Sequence, residues 1–300
     1  METWILLALV FLLSIYFLRP RPSPPTIQSI IIYPVRSCAG IRLSQAKIVS
    51  TGLAYDRLWA FVDNEGRLVT AKNDPRLWRI QPTLDLSEKG EASEMRITYE
   101  GKSIKLDLLK PWKGTLTMRM DDVTVEVGDT GEETAAWIKE VLGKDYRLCR
   151  MIQPSDSQEL PGTLVTFPDM RAHLLFASNA SLSVLIRSTP EPKSSQLTMS
   201  CFRPNIVLED CAAWAEDNWQ AIHIGDINFI AAGPCDRCRM TTIDPRTLAF
   251  DEKTEPLPTL RKIHGKDVKG FFGQYFNRTT DGVITVGDQI QVVKTKKFPN

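Results

Sequence analysis

From Ile27 onward the chain is a succession of short runs in which apolar and polar positions alternate or β-branched residues cluster. Residues 30–33, 58–62, 95–99 and 123–127 are each of strand length and bounded by turn residues, so the pattern predicts an antiparallel, β-rich first half. Asp63-Asn64-Glu65-Gly66 lies between Val62 and Leu68 and supplies a hairpin turn, with glycine where a positive φ is needed. Helical spacing appears at two places. Thr130-Gly131-Glu132-Glu133 has capping-box spacing, Trp137, Ile138, Val141 and Leu142 form one stripe, and Gly143 is the stop. A second helix is predicted over residues 179–187, with Leu182, Leu185 and Ile186 inward.

The second half carries a local repetition, residues 224–230 and 286–292, each a Gly-Asp turn leading into a strand. Two copies are too few for a repeat protein and instead support a β-barrel made of hairpins. Residues 153–162 are polar and turn-rich and are read as a boundary loop. The organisation expected is an anchor at 1–19, a Pro-rich linker at 20–26, a first β-rich domain at 27–150 and a second domain at 158–297.

The anchor rests on residues 4–18, which contain no charge and are followed by Arg19-Pro20-Arg21-Pro22. A cleavable signal needs a basic start and small residues at a cut site; this segment has Glu2 at its start and Leu18 and Arg19 at its end. An uncleaved membrane helix fits better, although the run is short of the roughly 20 residues that cross an average bilayer. Positive charge after the run places the body on the cytosolic side. The prolines then form a stiff spacer.

Composition narrows the functions further. With 300 residues, 43% of them hydrophobic, the chain can bury a sizeable core. A net charge of +1 gives no global field for nucleic acid, so charged ligands must be held locally. Six cysteines in a chain too large to need disulfide staples indicate a reducing compartment. Cys38, Cys149, Cys201 and Cys211 are read as small buried hydrophobes.

Cys235 and Cys238 are different, because Arg237 and Arg239 flank them in the run 233–245, on the loop expected to follow the strand that starts at Ile227. Neighbouring guanidiniums favour a thiolate, and a thiolate is a soft metal ligand. One C-x-x-C without a second pair does not complete a four-thiolate zinc site, and the three histidines are not at ligand spacing, so structural zinc is the lesser reading.

Six segments in order, 33–40, 56–59, 70–72, 202–206, 235–245 and 272–276, resemble the MOSC-domain family, and most closely its eukaryotic amidoxime-reducing branch; the likeness covers nearly the whole chain. The resemblance implies a β-rich α+β fold, a MOSC β-barrel preceded by a smaller β-rich MOSC N-terminal domain. It implies the molybdenum cofactor, a molybdopterin dithiolene on molybdenum plus one protein thiolate, which matches Cys238. Arg36, Ser37, Arg57, Arg203, Asp236, Arg237 and Tyr275 then correspond to cofactor-binding positions. Fixed cations suit a phosphorylated pterin and a soft anion suits the metal. Residues 171–178 depart from the family's usual polar segment there, and His173 is read either as a replacement contact or as a structural histidine.

The activity implied is two-electron reduction of an N-hydroxylated compound, an amidoxime or hydroxylamine, with the hydroxyl oxygen leaving as water. Electrons would come from cytochrome b5 and an NADH-dependent cytochrome b5 reductase, at the outer mitochondrial membrane. The chain has no dinucleotide fingerprint and no ferredoxin-type cysteine run, so an external donor is required. The alternative is a module that binds or hands over the cofactor, related to the terminal part of cofactor sulfurases.

Overall fold

The computed structural model describes residues 23–167 and 170–297. The anchor expected at 1–19 lies outside the described residues; among those described, no helix is long and apolar enough to cross a membrane. The linker expected at 20–26 is already part of the fold at its end, since Thr26 opens a strand and the Pro25 carbonyl accepts from Ile290 N at 2.7 Å.

The larger sheet runs, in spatial order, Ile41–Leu43, Thr26–Ile32, Ile206–Glu209, Leu174–Ser178, Lys269–Arg278, Ile227–Asp236, Trp219–Ile224 and Ile290–Thr295. It curls until its ends meet. Thr26 bridges Gln289, and Ile27 exchanges backbone hydrogen bonds with the Gly287–Asp288 turn at 2.8 and 3.0 Å. Closure of this kind leaves few free strand edges and encloses a core. That core holds Ile27, Ile30, Ile32, Phe176, Ile206, Ile222, Phe229 and Phe276. Ile31 and Tyr33 point the other way, into a cluster with Phe202 and Phe272 beneath helix α2, Asn179–Ser188. Both faces of this first strand are therefore buried, which is why its sequence reads as a continuous apolar run.

The unit expected at 27–150 does not keep its own first strands. Thr26–Ile32 pairs with Ile206–Glu209, and Gln45–Val49 pairs with Gly282–Thr285, so both are hydrogen-bonded into the second half. What remains is a five-stranded sheet, a three-stranded antiparallel sheet over residues 81–107 and helix α1, Glu132–Leu142, around Trp59, Phe61, Met95, Ile97, Trp137 and Ile138. The expected hairpin joins Trp59–Val62 to Leu68–Val69, with Gly66 at φ 77.

The α1 stripe and its Gly143 stop are as read from the sequence, but the capping box does not form. Gly131 is the N-cap, Asp129 accepts from its N–H at 3.0 Å, and the Thr130 hydroxyl donates to the Leu148 carbonyl instead. The strand beside the helix offers the threonine a better acceptor than its own first turn. Helix α3, Leu257–His264, has no counterpart in the sequence reading, and the boundary loop at 153–162 carries part of a small hairpin, Ser155–Asp156 with Leu164–Val165.

Candidate functional site

A cleft of about 1140 Å³ lies where the two halves meet, and Arg36, Ser37, Arg57, Arg203, Asp236, Arg237, Cys238 and Tyr275 all line it. Tyr33-Pro34-Val35-Arg36 leaves the barrel strand Thr26–Ile32 and is clipped to the five-stranded sheet: Arg36 N donates to the Trp59 carbonyl at 2.8 Å and Trp59 N to that of Pro34 at 3.0 Å. Ser37, Arg57 and Arg203 have φ of 64°, 51° and 53°. Left-handed backbone in a residue other than glycine costs on the order of 1–3 kcal/mol and persists only where the surroundings impose it.

Around Arg57 and Arg203 the side chains gather on Tyr33. Its ring lies between the Arg57 and Arg203 guanidiniums, at 4.8 and 4.1 Å. Asp56 accepts from Tyr33 N at 2.7 Å and pairs with Arg57. Arg57 also donates to the Arg203 carbonyl at 3.1 Å and to Asn205 Oδ1 at 3.2 Å. Asn205 further accepts from Leu175 N and donates to the Ile31 carbonyl, both at 3.1 Å. Asn205 and Asp56 therefore hold three strands and one arginine together, a role that their motifs in the sequence did not disclose.

Arg203 donates through Nη1 to the Cys38 carbonyl at 2.6 Å, while its Nη2 is buried without a partner. Burial pushes its guanidinium down to about 10, partly offset by Tyr33. Arg237 donates to the Phe202 carbonyl and to Cys235 Sγ, both at 2.6 Å, and its buried Nε has no partner. Burial lowers the Arg237 pKa, but Cys235 and Tyr275 outweigh it and the net shift is upward. Two other arginines of the cleft lining are paired with carboxylates: Arg67 with Asp63 and Glu65 at 2.8 and 2.7 Å, and Arg171 with Glu159 at 3.2 Å. Arg57 is likewise paired, with Asp56, whereas among the described residues no carboxylate pairs with the buried guanidiniums of Arg203 and Arg237.

The two loop cysteines have opposite surroundings. The strand Ile227–Asp236 extends further than expected and includes Cys235, at a bulge between Pro234 and Asp236 that turns its side chain inward. Cys235 is buried. Its thiol donates to the Tyr275 hydroxyl at 3.1 Å. Cys238 lies beyond the strand end, exposed to the cleft, at the start of the short 3-10 turn Arg239–Thr242. Asp236 is exposed and faces Lys269 at 3.6 Å.

Two glycines permit this packing. A Cβ on Gly273, at φ +80, would stand 2.5 Å from the Phe176 carbonyl oxygen, and Gly233, at φ +112, lies against the Arg171 guanidinium. His173 is structural: Nε2 donates to the Leu164 carbonyl at 2.9 Å and Nδ1 accepts from Arg278 N at 3.1 Å, with burial holding its pKa down. Cys211 is half-buried, while Cys38, Cys149 and Cys201 are buried as expected.

The donor set suits an anionic ligand attached to one soft metal. Among the described residues, Arg203 Nη2 and Arg237 Nε are buried at the cleft with no hydrogen-bond partner, and the exposed Cys238 thiol lines the same cleft. Among the described residues no three His, Cys, Asp or Glu side chains gather as a metal cluster, so the C-x-x-C finds no second pair.

Residues 24–145 match the MOSC N-terminal beta barrel domain and residues 162–291 the MOSC domain. The chain is 32% identical to mitochondrial amidoxime-reducing component 1 of Homo sapiens over 292 residues, covering 89% of this chain and 83% of that protein. It is 31% identical to mitochondrial amidoxime reducing component 2 of Rattus norvegicus, covering 95% and 90%. Molybdenum cofactor sulfurase of Solanum lycopersicum is 29% identical over 87% of this chain but only 35% of its own length. A barrel closed by its own first strands, a basic cleft at the junction of the two halves and matches along both halves together identify the chain as a member of the MOSC-domain family.

Proposed function

We propose that this protein is a molybdenum-cofactor-dependent reductase of N-hydroxylated compounds, amidoximes and hydroxylamines. One observation carries the reading: an accessible Cys238 thiol faces a cleft whose inner end holds Arg203 and Arg237 with buried, unpartnered N–H groups. Resemblance over most of the length of the amidoxime-reducing components supports it, whereas only about a third of the sulfurase aligns.

In this reading Cys238 supplies the protein thiolate to molybdenum. Arg203 Nη2 and Arg237 Nε donate to the pterin phosphate, with Arg36, Arg57, Ser37 and the Tyr275 hydroxyl completing the cradle and Asp236 at its rim. Charge-assisted N–H donors preorganised in a dry site bind an anion more strongly than in water. When bound, the cofactor supplies two-electron chemistry by which an N–OH group, with two protons, becomes N–H and water. The wall formed by Leu174, Leu175 and Phe202 excludes solvent from the inner end.

Electrons come from cytochrome b5 and its NADH-dependent reductase. Attachment of the N-terminal segment to the outer mitochondrial membrane, with the body toward the cytosol, raises the encounter rate with a donor tethered to the same surface. Metal analysis by mass spectrometry, combined with benzamidoxime turnover in the presence of cytochrome b5 and its reductase, tests the reading. About one molybdenum per chain with turnover is expected from single-thiolate ligation; full loading without turnover points instead to a cofactor carrier, and zinc in place of molybdenum defeats both.

A further inference from the structure

The bulge that separates Cys235 from Cys238 leaves a buried sulfur with two short side-chain contacts and a longer one, at 3.8 Å, to the Asp236 carbonyl. Cys235 Sγ accepts from Arg237 Nη1 at 2.6 Å and donates to the Tyr275 hydroxyl at 3.1 Å. These two partners come from different elements: Arg237 follows the strand Ile227–Asp236, and Tyr275 belongs to Lys269–Arg278, which faces it in the sheet. The main-chain ladder does not fix either side chain. Arg237 has one further anchor, the Phe202 carbonyl, and Tyr275 lines the cleft with its ring packed in the sheet.

We propose that the Cys235 sulfur is the positioning group of this cleft: it orients Arg237 and Tyr275 together so that the Nε–H of Arg237 and the O–H of Tyr275 serve the bound anion. Nη1 and Nη2 each already hold an acceptor, and Nε is the buried nitrogen of Arg237 that has no partner among the described residues. Because the Tyr275 oxygen accepts the thiol hydrogen, its own hydrogen is the one left to donate. Removal of the sulfur frees both side chains in a cavity, and each then loses orientation at the cost of rotamer entropy on binding. Serine keeps an acceptor and a donor at the same position, so it separates a hydrogen-bonding role from sulfur chemistry or bulk. The inference deepens the cofactor reading and rests on it for the identity of the anion.

The test compares Cys235→Ala with Cys235→Ser in the full chain. Two readouts are used, retention of molybdenum by the loaded chain during dialysis, measured by mass spectrometry, and affinity of the cofactor-free chain for inorganic phosphate, measured by calorimetry. Alanine is expected to weaken phosphate about tenfold, the value of one charge-assisted contact, with serine recovering most of the loss. Molybdenum is expected to leave the alanine variant faster in the same order. Tyr275→Phe added to Cys235→Ala is expected to cost less than Tyr275→Phe alone, because the two act as one unit.

Serine as poor as alanine, alanine equal to the parent, a strictly additive cycle, or a parent that does not bind phosphate each overturns the proposal. If thermal melting shows that alanine does not fold, Cys235→Val fills the space without polar atoms and takes its place. A parent that binds phosphate and responds as expected but carries no molybdenum ends the reductase reading and leaves the positioning role standing.

Discussion

Cys235 and Cys238 are three positions apart, yet one is buried against a guanidinium and a phenol and the other is open to the cleft. Their asymmetry predicts unequal mutants: Cys238→Ser is expected to abolish benzamidoxime turnover and molybdenum binding, while Cys235→Ser keeps most of both, as metal analysis and steady-state rates will show. Glu216 makes a separate prediction. One of its oxygens accepts from Ser178 N and Ser181 Oγ at 3.0 and 3.1 Å, the other has no partner, and burial followed by the charge of Asp217 pushes its carboxyl up to about 7. Asp217 in turn bonds the His264 ring at 2.7 Å. Between the ordinary glutamate value and about 7 the folded state keeps a proton that the unfolded chain has lost, so this residue's contribution to stability falls as pH rises through that window. The loss is on the order of 3 kcal/mol. Glu216→Gln is therefore expected to show a smaller drop in Tm between pH 5 and pH 8 than the parent, and an equal drop refutes the assignment.

At the scale of elements, position matters more than propensity. The strand Lys269–Arg278 must pass the Phe176 carbonyl so closely that only hydrogen fits at Gly273, and at φ +80. Gly273→Ala is expected to cost about 2–4 kcal/mol from the combined clash and backbone strain, read as a shift in urea midpoint at unchanged m. The α1 stripe was legible because its apolar spacing is local, and so was its glycine stop. Its start was misread, since the hydroxyl of Thr130 has a choice between its own helix and the Leu148 carbonyl, and that alternative exists only after the neighbouring strand has docked. Cys235 was placed in a loop for a similar reason: strand length is set by pairing with Lys269–Arg278, bulges included.

For the whole molecule, the decisive contact is the early strand that crosses into the late sheet. Thr26–Ile32 fills the gap between Ile41–Leu43 and Ile206–Glu209 and supplies Ile27, Ile30 and Ile32 to the barrel core. A fragment of residues 158–297 therefore exposes an unpaired edge and an open core, and it is expected to be insoluble or to lack near-ultraviolet circular dichroism. Residues 23–297, which keep the Pro25 carbonyl for Ile290 N, are expected to melt as the full chain does. Co-operative melting of the 158–297 fragment would show that the first strands are dispensable.

The sequence by itself determined the β-rich class, the α1 stripe, the family resemblance and eight residues that the fold gathers in one cleft, because periodicity, turn chemistry and short motifs are written in neighbouring positions. It did not determine which cysteine turns inward, which arginine N–H groups stay unpartnered, or why Ser37, Arg57 and Arg203 adopt left-handed backbone. The inward turn of Cys235 depends on a bulge against Lys269–Arg278, and the setting of Arg57 and Arg203 on the Tyr33 ring, Asp56 and Asn205, from segments up to 174 residues apart. Burial, not local preference, sets their geometry, and only the closed barrel brings them within contact distance.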